Sequence, residues 1–150
     1  MSKQESIGKR PEISTLTSLT PLNHHVSVIH ASAFFHLFNQ EQQHQLAHLL
    51  GSLLSSEPGS IILGSHAGLE DTEENKEGAV NYLPDGQVAN FAHSPTSWNE
   101  LWTGKNGVFR PDEAKVETET RVIIVTEEAR RKIGDANRKP AGLVWCVTRI

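Results

Sequence analysis

The chain has 150 residues, enough for one domain with a modest core. Hydrophobic residues make up 37% and the mean hydropathy is −0.40, so part of the chain reads as loop or tail rather than core. The net charge is −4 with both signs interspersed, and no Lys/Arg stripe alternates with aromatics, which argues against a nucleic-acid partner.

Residues 1–23 are rich in Ser, Thr and Lys and read as a polar lead-in without the apolar stretch of a signal peptide. No run is long enough to cross a bilayer, so the expectation is a soluble, cytoplasmic protein without a membrane partner. His25-Val-Ser-Val-Ile-His30 reads as a short buried strand, followed by the aromatic segment Ala31-Ser-Ala-Phe-Phe-His-Leu-Phe38. Asn39 with Gln42 forms a capping box for a helix over about 40–55. Leu46, Leu49, Leu50, Leu53 and Leu54 would line its apolar stripe. After the Pro58-Gly59 turn, Ser60 to Gly64 reads as a second buried strand.

Residues 65–93 show no usable periodicity, which predicts a long loop, either a lid or an insertion. Ser94 and Pro95 then start a second helix that carries Trp98, Leu101 and Trp102 on one face and stops near Gly104. Val116 to Ile124 alternates as a half-exposed strand. Glu127 to Asn137 is charged, ends at Gly134-Asp135 and reads as a helical turn and loop, and Leu143 to Ile150 reads as a last, largely apolar strand.

The residues 30–38 just quoted resemble the segment around the fourth strand of class I S-adenosylmethionine-dependent methyltransferases, of the fungal type that serves polyketide and meroterpenoid biosynthesis. The leucine-striped helix, the Pro-Gly turn, Ile61 to Gly64 and Ser97-Trp-Asn-Glu-Leu-Trp102 extend the likeness in order over residues 24–150. The resemblance implies an α/β domain, the C-terminal half of a Rossmann-like sheet. It would hold about four strands closed by an antiparallel hairpin and lack the N-terminal glycine-rich half. Upstream of residue 24 there is one glycine, Gly8, so the cofactor's glycine turn and the acidic residue for its ribose are expected to be missing. The chain would then be a natural half, a remnant or a truncated reading of its gene.

The resemblance further implies a methyl transfer from S-adenosylmethionine to an oxygen or carbon of a small natural product. His30, Ala31, Ser32 and Phe35 would face the cofactor as half of its site, and His36 and His66 would be the candidate acid–base residues. The strand at 25–30 would lack a neighbour and would pair with a second copy or with a complementing chain. Two other functions fit the same residues: a methyltransferase-fold isomerase or cyclase acting through His36 or His66, and a non-catalytic module that pairs through the 25–30 edge.

Plainer roles compete at each of these positions. His36 is also read as a packing residue, and Trp98 and Trp102 as core. His44 and His48 have the i, i+4 spacing of metal ligands, but they sit among glutamines on a solvated face, so no metal site is assigned. The acidic run at 70–77 lacks the ligand spacing of a calcium loop, and Gly104-Lys-Asn-Gly107 reads as a turn. Cys146, the single cysteine, reads as a small buried hydrophobe.

Overall fold

A computed structural model describes residues 8–133 and 139–150. The start of the lead-in, residues 1–7, and the Gly134-Asp135 turn lie outside them. The chain is mixed α/β, with β1 (Val28–His30), α1 (Gln40–Leu53), β2 (Ile61–Leu69), β3 (Ala79–Tyr82), β4 (Val88–Ala92), α2 (Pro95–Thr103), β5 (Val116–Ile124), α3 (Glu127–Ile133) and β6 (Pro140–Arg149). Four strands form one sheet in the order β1-β2-β6-β5, and β3 and β4 form a separate hairpin. β1 and β2 are parallel, whereas β6 runs antiparallel to both β2 and β5, so the antiparallel closing pair is present.

Both main helices start as their sequences dictate. The Asn39 side chain accepts from the Gln42 N–H at 2.9 Å, and Gln42 returns a bond to the Asn39 N–H. At α2, Ser94 and Ser97 make the same reciprocal pair ahead of Pro95. The Asp71 carboxylate adds bonds from the Thr96 N–H and hydroxyl. One member of the acidic run, read as solvated loop, therefore ties that loop to the positive end of a helix.

The leucine stripe of α1 is only partly buried: Leu54 lies in the core, Leu46 and Leu50 pack against it, and Leu53 is half-buried. The face turned inward is Gln43, Ala47 and Gly51, whereas Leu49 is 62% exposed. Small residues win because the segment after α2 crosses α1 closely: a Cβ at Gly51 would lie 2.5 Å from Val108 Cγ1. Gln43 earns its buried place by donating from Nε2 to the carbonyls of Phe38 and Phe91 at 2.9 and 2.8 Å. It thereby fastens α1 to β4.

Residues 65–93, read as a loop, carry regular structure. β2 runs on to Leu69, and Pro84-Asp85-Gly86 turns the chain between β3 and β4, with Gly86 at φ 84°. The closing Leu83 N–H to Gln87 carbonyl bond is 2.7 Å, and the Asp85 side chain accepts from the Gln87 N–H. Gly68 lets this hairpin dock, since a Cβ there would stand 2.5 Å from the His93 carbonyl oxygen. β1 is shorter than read and is not buried: Val28 is 62% exposed, and only Ile29 packs inward. Before it, Val26 makes a single bridge to Leu54.

The core lies between one sheet face and α1 and α2. Phe35, Ile62, Trp98, Trp102, Leu143, Trp145 and Val147 fill it. Trp98 is its hub, at 5.0 Å from the Phe35 ring, 4.5 Å from His66 and 4.6 Å from Trp145. Among the described residues no helix is long and apolar enough to cross a membrane.

Two stability predictions follow from this packing. Gly51→Leu, which restores a leucine to the inner face, should lower the unfolding free energy by about 1–3 kcal/mol in urea titrations, because overpacking displaces Val108 and Phe109. Gln43→Leu should cost about 1–3 kcal/mol, because the Phe91 carbonyl loses its side-chain donor whereas the Phe38 carbonyl keeps the Phe91 N–H.

Candidate functional site

In an open sheet with parallel strands, ligands collect at the carboxyl ends of those strands. At that end of β1 the chain makes a groove of about 320 Å³ lined by Ile29, His30, Ala31, Ser32, Phe34 and Leu50. Three of the four residues expected to face a cofactor are therefore brought together. The fourth, Phe35, is fully buried in the aromatic core, and its neighbour Phe34 takes the place at the groove. The signal for this was in the sequence: in a tight turn adjacent side chains point apart, so only one of Phe34 and Phe35 can face inward.

The turn after β1 is pinned from both sides. The Ser32 hydroxyl lies 2.7 Å from His30 Nε2 and accepts from the Ser65 N–H at 3.2 Å. The Ala33 N–H donates to the Ser65 carbonyl at 2.7 Å while Ala33 holds φ 51°, a left-handed backbone that costs an alanine about 1–3 kcal/mol. Gly64 on β2 makes this possible, because a Cβ there would collide with the Ala31 carbonyl. The outcome is a rigid shelf: an apolar wall of Ile29, Phe34 and Leu50 with the His30 ring and Ser32 hydroxyl along its edge.

This shelf fits part of an adenosyl group. A planar base can lie on Phe34 and Leu50, and His30 and Ser32 offer a donor and an acceptor. No carboxylate and no glycine line the groove, so the ribose-binding acid and the glycine turn have no counterpart in it.

His36 and His66 lie away from the groove, in and beside the core. His66 is buried, and its Nδ1 accepts the Trp145 indole N–H at 2.9 Å. Because an indole only donates, Nδ1 carries the lone pair, and the neutral ring holds its proton on Nε2. Burial, and then the nearby His36, push the His66 pKa down to about 4. At neutral pH His66 thus offers an N–H donor. His36 is half-buried, and its Nδ1 makes no hydrogen bond.

A third histidine, His93, was missed by the sequence reading because it falls in the stretch read as loop. Its Nδ1 lies 2.9 Å from the Ser97 hydroxyl inside the α2 capping box. Burial, and then His66, take its pKa down to about 3. His93 and Ser97 border a cleft of about 290 Å³ shared with Gln40, His44, Glu77, Glu100 and Lys105. The rings of His44 and His48 are 4.5 Å apart on the outside of α1, and among the described residues no group of three or more His, Cys, Asp or Glu could hold a metal.

No family model matches the chain. It is 33% identical over 78 residues to the O-methyltransferase phiE of Fungal sp. (strain ATCC 74256), a match that takes in 51% of this chain and 24% of that protein. It is 32% identical over 84 residues to the Asnovolin E/Chermesin D methyltransferase nvfJ of Aspergillus novofumigatus (strain IBT 16806), over 56% of this chain and 28% of that protein. Over about half its length the chain is a relative of fungal methyltransferases, as the residues around His30 to Phe38 implied. The matched stretch is only about a quarter of each of those proteins.

The two buried histidines fix a pH dependence. Their folded pKa values lie below the ordinary 6.5, so the unfolded chain binds more protons in acid. Stability is full above about pH 6.5 and falls below it, by up to about 1.4 kcal/mol per pH unit for each histidine. Urea unfolding at pH 7, 6 and 5 should show this slope, and His66→Gln should reduce it by about half. A stability that is constant from pH 7 to 5 would contradict the burial of these rings.

Proposed function

We propose that the chain is a methyltransferase-like protein whose β1 groove is half of an S-adenosylmethionine site, serving a secondary-metabolite pathway. The observation that carries this reading is the convergence of His30, Ala31 and Ser32 with Phe34 and Leu50 at the carboxyl end of β1, in a chain related to fungal methyltransferases. The cofactor, when bound, supplies an electrophilic methyl group for an oxygen or carbon of a natural product.

The chain's own residues do positioning work. Phe34, Leu50 and Ile29 exclude water from one side of the adenosyl group, and Ser32, held by Ser65, and His30 orient its polar edge. His66, whose Nε2 is buried with no hydrogen-bond partner, acts only through the core packing that carries the groove. His36, nearer the surface, is the residue placed to exchange a proton with an acceptor. The missing acid and glycine turn come from outside the groove, by pairing at the free edge of β1 with a complementing chain. Val28 stands exposed there, and β2 is the only strand beside β1 among the described residues.

Calorimetric titration with S-adenosylmethionine tests the reading. A half-site should bind weakly, with a dissociation constant on the order of 0.1–1 mM. Phe34→Ala should weaken binding by about tenfold, the cost of about 1.4 kcal/mol of lost contact. Heat of binding that is absent at millimolar cofactor, or unchanged in Phe34→Ala, would rule out the groove as the site.

A further inference from the structure

The sheet has two faces, and the helices cover one. Ile62, Gly64 and His66 of β2 and Leu143, Trp145 and Val147 of β6 look toward α1 and α2. The alternate residues look the other way: Ile61, Leu63 and Ser65, with Val144, Cys146 and Thr148 beside them. Val28 extends this face over β1, and Ile123 extends it over β5. Val144 is 40% and Ile123 58% exposed. Unbroken apolar runs such as Ile61-Ile62-Leu63 and Leu143-Val144-Trp145-Cys146-Val147 are the pattern of strands buried on both faces.

We propose that a second copy of this chain covers this face, sheet against sheet about a two-fold axis. The centre of the face is complementary to itself in charge, while Glu117, beside Thr148, projects on the same side toward its rim. Glu119 and Arg121 project from β5 on this side, next to Cys146 and Val144, and neither has an ion-pair partner among the described residues. A two-fold axis across the strands between these two rows sets Glu119 of each copy over Arg121 of the other and joins the apolar centres. Three long strands about 4.8 Å apart and roughly 30 Å long bury on the order of 1,000 Å² between two copies, enough for a specific but modest interface. The proposal concerns the sheet face and does not depend on the methyltransferase reading.

Size-exclusion chromatography with light scattering should give twice the 16.6 kDa chain mass at tens of micromolar. Val144→Asp, an exposed position whose change leaves the core intact, should raise the dimer dissociation constant at least tenfold. Leu49→Asp, on the open side of α1, should leave it unchanged. Cys146 lies near the middle of the face, so a short bifunctional maleimide should capture a covalent dimer in the wild type and not in Cys146→Ser. A monomer at 100 µM, or a dimer untouched by Val144→Asp, overturns the proposal and assigns the face to a different chain or leaves it wet.

Discussion

The placement of Trp98 governs this structure. Its indole fills the space between Phe35, His66 and Trp145, and so joins α2 to the turn after β1 and to both central strands. Phe35 can enter the core only because the turn at Ala33 takes a left-handed backbone. That turn is what leaves Phe34 on the outside, beside His30 and Ser32. The groove is therefore a consequence of core packing, not a separate feature laid on the surface.

The same core explains the state of the histidines. His66 and His93 flank Trp98, and a charged imidazole in such surroundings loses water without gaining a carboxylate. The Trp145 N–H then selects the tautomer of His66. What a sequence offers as a possible base is converted by its neighbours into a fixed donor. His30 and His36 lie outside this aromatic cluster, His30 exposed beside Ser32 and His36 half-buried.

Much of this was legible in the residues. Helix starts are local, so Asn39/Gln42 and Ser94-Pro95 announce both helices within a residue or two. The resemblance at 30–38 led to the groove because a strand end and its turn are also local. The errors arose where tertiary contact overrides local pattern. The leucines of α1 outnumber its small residues, yet Gly51 and Ala47 face inward because the 108–109 segment comes so close. The β3–β4 hairpin is only weakly patterned, and its Pro84-Asp85-Gly86 turn looks like loop punctuation until the Leu83–Gln87 bond is seen. Phe34 and Phe35 could not be told apart by type, only by the direction each takes from the turn.

The central claim is that the carboxyl end of β1 is one wall of a cofactor site, and nuclear magnetic resonance tests it most directly. Titration of labelled protein with S-adenosylhomocysteine should shift the backbone signals of His30 to Phe34 and of Leu50. The signals of Glu77, Glu100 and Lys105, which border the separate cleft beside α2, should stay where they are. Shifts confined to that cleft, or none at millimolar ligand, would contradict the account.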